Sequence, residues 1–192
     1  MSESARFVLA TLCGLVIAGM VHLSAVLAMP WLSENDAFSR LAGTLSADRA
    51  QIVAAPATGE TWLPQPDPNL AISACAYNLA DGPVRIATRT GRLFQSLSFH
   101  ARGAGVFYAV TDRAAIRGSL DLVVMTRRQL DEILAREDEE DPSRDVRIVA
   151  PSSEGFAVVR VLATTPSQRQ EAEEVARSVA CTIDPLPGAP RR

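Results

Sequence analysis

A chain of 192 residues with 47% hydrophobic content has room for one ordinary domain plus an appendage. Its 19 basic residues stand against 22 acidic ones, so there is no broad positive field and nucleic acid is not an expected partner. Every basic residue is an arginine, and the arginines are scattered, a pattern that compositional bias explains without a binding role.

The first element is "FVLATLCGLVIAGMVHLSAVLAM", residues 7–29, which has no formally charged side chain. A helix of that length spans about 34 Å at about 1.5 Å per residue, enough for a hydrocarbon core of about 30 Å. Thr11 and Ser24 can bond back to the preceding turn, so they cost little there. Pro30 is expected to end the helix, and Trp31 suits a membrane interface. Length favours a retained anchor over residues 7–31, from Phe7 through Met29 to Trp31, that binds the lipid bilayer. The alternative is a cleaved export signal with Val26-Leu27-Ala28 near its cleavage site, but a signal core runs only about 7–15 residues. Either reading exports the rest of the chain. The expected division is a cytoplasmic N-terminus (1–6), the helix (7–31), a juxtamembrane helix and proline-rich loop (32–69), a periplasmic domain (70–181) and a disordered tail (182–192).

Cys13 lies in the apolar segment, which leaves Cys75 and Cys181 in the exported part. Neither belongs to a CxxC and no histidine is close by in sequence, so metal binding is not expected. In an oxidising periplasm the two can pair. The bridge would close a loop of roughly 105 residues, worth about 4–5 kcal/mol in the chain-entropy model. The alternative is a pair of buried free thiols.

After the anchor, Phe38, Leu41 and Leu45 have helical spacing, with Ser33 or Asn35 as cap. "QIVAAP" reads as a short strand and "PQPDPN" as loop. From Leu70 the period becomes two. "AISACAYNL", "VRIAT", "LFQSLSFH", "VFYAVT" and "SLDLVVM" are short strands with turn residues between them, which suggests an antiparallel meander. "TRRQLDEILAREDEE" opens with Thr126 and Gln129 at capping-box spacing, and Arg127–Asp131 and Arg128–Glu132 are spaced for surface ion pairs. "DVRIVA" and "GFAVVRVLA" are further strands. Thr165, Pro166 and Gln168 then start a second helix, with Ala172, Val175, Ala176 and Val179 on one face. That helix would lie on the sheet and deliver Cys181 near strand 71–78. The fold class is therefore one N-terminal transmembrane helix plus a mainly antiparallel, β-sandwich-like α+β domain with two flanking helices.

Chemistry is sparse. His22 is in the apolar segment, so His100 is the one candidate for acid–base work near neutral pH. Asp112 with Ser96 or Ser98 could be drawn around it, but no nucleophile-elbow glycines flank any serine. A surface or structural role for His100, and a loop-fixing role for Asp112, are the simpler readings. No cofactor is expected. Trp62 beside the proline loop is a packing residue or an interface anchor.

The stretch "NLADGPVRIATRTGRLFQSLSFHARGAGVFYAVTDRA", followed by "GFAVVRVLA" and "TPSQRQEAEEVARS", resembles bacterial proteins of domain-of-unknown-function family 1254. It is most similar to their short membrane-anchored version, through "DAFSRL" at Asp36–Leu41 and on to Cys181. The resemblance implies an exported β-sandwich-like domain and a frequent companion, a module of family 1214. Larger members carry a polar stretch where this chain reads "PDPNLAISAC", with Asn69 as a weak match, so a site held there would be lost here. The expectation is a single-pass inner-membrane protein whose periplasmic domain docks a family 1214 partner. The alternative is a small-ligand-binding or hydrolytic domain that uses His100 and Asp112.

Overall fold

Uncharged straight-chain and small residues favour helix where nothing interrupts them. Helix α1 (Glu3–Leu32) accordingly runs for 30 residues in the computed structural model, which describes residues 2–32, 37–44, 49–136 and 145–184. Thr11 Oγ1 donates to the Phe7 carbonyl at 3.0 Å, so its hydroxyl is satisfied within the helix. The apolar side chains stand open: Phe7 is 74% exposed and Met29 67%. Glu3–Met29, with mean hydropathy 2.2, is long and apolar enough to cross a membrane. Pro30 does not end this helix, which continues through Trp31 to Leu32. A proline removes its own bond to the preceding turn, and one terminal turn can outlast that loss. The Trp31 side chain, expected at an interface, lies outside the description.

The chain divides into two units, Met1–Ser39 and Arg40–Arg192. The helix expected over 33–50 is shorter in the structure. It is α2 (Ala37–Leu41), followed by a 3-10 turn at Ala42–Thr44. The expected caps Ser33 and Asn35, and Leu45, fall outside the described residues, as does the acidic end of "AREDEED".

Nine strands follow among the described residues: β1 (Gln51–Ala54), β2 (Leu70–Asn78), β3 (Val84–Arg89), β4 (Gln95–Ala101), β5 (Gly105–Thr111), β6 (Ser119–Met125), β7 (Val146–Val149), β8 (Glu154–Leu162) and β9 (Ala180–Ile183). Helix α3 (Arg127–Leu134) joins β6 to β7, and α4 (Arg169–Arg177) lies between β8 and β9. One sheet has the order β1-β2-β8-β4-β5 and the other β7-β6-β3-β9. All pairs are antiparallel except β6–β7, which the α3 crossover makes parallel.

The expected meander is therefore corrected. Strands β2 and β3 follow each other in sequence but lie in different sheets, as do β5 and β6. Alternation of apolar residues marks which face of a strand is buried; it does not name the neighbouring strand. The two inner faces share one core, with Leu97, Phe99 and Val159 from one sheet against Ile86, Leu122 and Val124 from the other.

Both capping boxes form. The Gln129 amide N–H donates to Thr126 Oγ1 at 3.2 Å, and the Thr126 amide donates to Gln129 Oε1 at 2.8 Å. Gln129 is buried, and its Nε2 donates to the Leu79 carbonyl at 2.7 Å, which fixes α3 to the end of β2. Pro166–Gln168 form a 3-10 turn before α4, and Gln168 Oε1 accepts from the Thr165 amide at 3.2 Å. Ala172 and Ala176 of α4 are fully buried, and the helix packs on β2 and β8. Its carboxylate Glu173, 3% exposed, pairs with Arg177 and accepts from the amides of Ala57 at 3.2 Å and Thr58 at 3.3 Å. This holds the loop after β1 against the helix.

Helix α4 delivers Cys181 to β9, where it forms a disulfide with Cys75 of β2, the Cα atoms 6.5 Å apart. The bond joins the two sheets. Two expected boundaries shift as a result. The domain takes in β1, which pairs with β2 upstream of residue 70. It also extends past Cys181, because β9 pairs with β3 as far as Ile183 and Asp184 binds Arg85. A strand carried to an open sheet edge satisfies its backbone groups by pairing there.

Gly155 of β8 lies beneath Tyr77, whose hydroxyl donates to the His100 carbonyl at 3.2 Å. A Cβ at position 155 would overlap both the tyrosine ring and that carbonyl oxygen. Gly155→Ala is expected to lower unfolding stability by about 1–3 kcal/mol, measured by urea denaturation. Reduction of the disulfide, or the double change Cys75→Ala with Cys181→Ala, is expected to lower it by about 2–4 kcal/mol.

Candidate functional site

Strand β8 is central in its sheet, with β2 and β4 on either side. Its inward residues Gly155, Ala157, Val159 and Val161 are buried, and its outward residues are half-buried. Register places Phe156 between Ala76 and His100, Val158 between Ala74 and Ser98, and Arg160 between Ile72 and Ser96. The outer face is therefore largely apolar, with a small polar group along one side.

That group is continuous. Arg160 Nη1 donates to Ser98 Oγ at 2.9 Å, and Ser98 Oγ lies 3.1 Å from His100 Nε2. The imidazole stacks on Phe156, centroids 4.6 Å apart and planes inclined by 8°. Ser98 Oγ thus accepts from Arg160, and the tautomer of the ring sets which way its bond to His100 Nε2 runs. Burial holds the His100 pKa below the ordinary histidine value, and the Arg160 charge pushes the same way. The imidazole is neutral at physiological pH, facing a hydroxyl and flanked by a guanidinium.

Asp112 is not part of this group. Its neighbour Thr111 pairs with Ser96, whereas His100 pairs with Val106, so the two candidates lie about 13 Å apart along the sheet at about 3.3 Å per residue. The structure brings together Ser98 and His100 but not the third member of a triad. Asp112 Oδ1 is buried without a hydrogen-bond partner among the described atoms. Arg160 and Phe156 escape a reading of the sequence that looks for acids and nucleophiles. The signal was available: an arginine at an outward position of an otherwise apolar strand, "GFAVVRVL".

A second polar cluster lies on the four-stranded sheet. Arg85 Nη1 donates to both oxygens of Asp121 at 2.7 Å, and its Nε and Nη2 donate to Asp184 Oδ2 at 3.2 and 2.8 Å. Burial works against the Arg85 charge, yet the hydrogen bonds and charges of Asp184 and Asp121 outweigh it and raise its pKa. Asp145 approaches to 4.0 Å. A cleft of about 390 Å³ opens here, lined also by Arg117. Arg117 takes φ 53° beside Gly118 at φ 79° in the turn from Ile116 to Ser119. Since Arg85 is saturated by carboxylates, this cluster ties β3, β6 and the end of β9 together. Among the described residues no group of three or more His, Cys, Asp or Glu could hold a metal ion. Trp62 lies under the Arg40 guanidinium, 5.5 Å from ring centroid to Cζ.

No family model and no curated protein matches the chain. Among solved structures it is similar to the VPA0106 protein from Vibrio parahaemolyticus, with TM-score 0.53 and 11% identity over 79% of this chain and 35% of that one. An uncharacterized protein from Burkholderia cenocepacia gives TM-score 0.47 and 9% identity, over 79% of this chain and 39% of that one. The chain spans little more than a third of the length of either protein. The Vibrio protein shares the fold and, at this identity, nothing further is carried across.

The depressed His100 pKa has a definite sign. The unfolded chain takes up the proton first, so stability is intact above the ordinary histidine pKa of about 6.5 and is lost as pH falls from there toward the folded value. The thermal midpoint is expected to fall between about pH 7.5 and 5.5, and His100→Gln is expected to flatten that fall. An unchanged pH profile in the variant would contradict the assignment.

Proposed function

We propose that the chain is a single-pass protein of the bacterial inner membrane whose β-rich domain sits in the periplasm and docks a companion envelope protein. The observation that carries this reading is the Cys75–Cys181 disulfide beyond an open apolar helix that has no formal charge over residues 7–29. A bond of this kind persists in oxidising compartments, and a helix this apolar is stable in lipid. The family 1254 resemblance supplies the expected companion, a family 1214 module. The outer face of the five-stranded sheet, with its half-buried Phe156 and Arg160, has the residue types that anchor protein interfaces.

The second reading, a hydrolytic or small-ligand domain, is favoured by the Ser98–His100 contact alone. It requires that His100→Ala abolish turnover or ligand binding while the fold persists.

Expression of the full-length chain with a C-terminal tag, followed by extraction in mild detergent, tests the docking reading. The tagged chain is expected in the membrane fraction together with one companion protein in fixed stoichiometry. Recovery in the soluble periplasmic fraction would overturn the anchor, and solitary recovery from membranes would overturn the docking.

A further inference from the structure

The outer face of the five-stranded sheet is uneven in charge. Around its middle stand the half-buried Phe156 and Val158, with Val106 of β5 58% exposed beside His100, whereas Ala74 and Ala76 of β2 are buried. Glu154, at one end of the face, is engaged by Arg102 at 2.6 Å. Arg160 is different. A guanidinium carries five N–H donors, and among the described residues its one hydrogen-bond partner is the uncharged Ser98. No carboxylate forms an ion pair with it there. The Ser98 contact draws the guanidinium toward the Phe156–His100 stack: 2.9 Å separate Nη1 from Ser98 Oγ and 3.1 Å separate that oxygen from the imidazole. A cation without an ion-pair partner among the described residues thus borders the Phe156–His100 stack.

We infer that Arg160 is the anchor of the docking face and receives an aspartate or glutamate side chain of the partner protein, whose neighbouring apolar side chain covers the Phe156–His100 stack. This inference rests on the docking reading above and names the chemistry of that interface. Charge complementarity selects the occupant. A partner without an acidic group would remove water from Arg160 and offer at most neutral acceptors, which leave its charge unpaired. A carboxylate takes two parallel N–H donors at once. Arginine is also one of the residue types enriched among the few that carry most interface energy. Ser98 holds the guanidinium in place before the partner arrives, which reduces the ordering cost of association.

Two measurements on the full-length chain in detergent test this. In the first, the companion recovered by the wild type is quantified for Arg160→Glu and for Arg128→Glu. The latter is a control on exposed α3, whose ion pair with Glu132 is 3.7 Å long. Arg160→Glu is expected to reduce recovery at least tenfold, with an unchanged thermal midpoint, and Arg128→Glu to leave it unchanged. Undiminished recovery with Arg160→Glu overturns the inference and leaves the docking reading standing. In the second, the side-chain NMR signals of Arg160 and His100 are followed during titration with N-acetyl-phenylalanyl-glutamate amide, with the glutamine analogue as control. Saturable shifts with the acidic peptide, absent with the analogue and in Arg160→Gln, are expected. No shifts, or equal shifts with both peptides, overturn the inference. Shifts without any recovered companion would retain the acidic-group site and overturn the docking reading.

Discussion

Cys75 sits in the middle of a nine-residue strand and Cys181 in one of four residues, and their bond is the covalent link between the two sheets. A four-residue edge strand has few hydrogen bonds of its own to keep it in place. Here α4 brings it to the sheet, the disulfide ties it to the opposite layer, and Asp184 closes onto Arg85 just beyond it. The bond also restricts the unfolded chain over a separation of 106 residues, the regime in which a cross-link removes most conformational freedom.

Around that link, three buried polar side chains fix the connections. Glu173 holds the loop after β1, Gln129 ties α3 to the end of β2, and Gln95 Nε2 donates to the Arg89 carbonyl at 2.9 Å between β3 and β4. Each satisfies backbone groups that a loop would otherwise leave unpaired in a dry place. The loops then position the strands, and the strand register lines up Phe156, His100, Ser98 and Arg160 on one surface. The candidate site depends on register more than on any one residue, since a slip by one position would turn the whole set into the core.

Much of the fold was legible in the amino-acid order. The apolar run, the period-two segments and both capping boxes follow from short-range rules and correspond to elements of the structure, and the Cys75–Cys181 pairing, across 106 residues, follows from an oxidising compartment and an even cysteine count. Sheet partnership did not follow, because β2 and β3 carry the same alternation whether they pair with each other or face each other across the core. Strand β9 was hidden behind a cysteine and a proline-rich tail, and its pairing depends on where α4 ends. The site was half legible. His100 and Ser98 stood out on their own strand, but Phe156 and Arg160 come from β8, some 56 to 60 positions beyond His100, and nothing local announces that register. Asp112 was grouped with His100 by chemical type, and the β4–β5 register separates them.

The order of strands in the larger sheet has a kinetic side. Strand β8 is its hub, hydrogen-bonded to β2 along one edge and to β4 along the other, yet it is the last of the five to leave the ribosome. Until it emerges, β2 and the β4–β5 hairpin have no sheet between them, and their open backbones wait in solution. Pairs such as Leu70 with Leu162 close over a long stretch of chain, the topology that slows folding. Assembly of this sheet is thus a late event in the life of each new chain, and the interval before it is when unpaired strands are most open to misassociation.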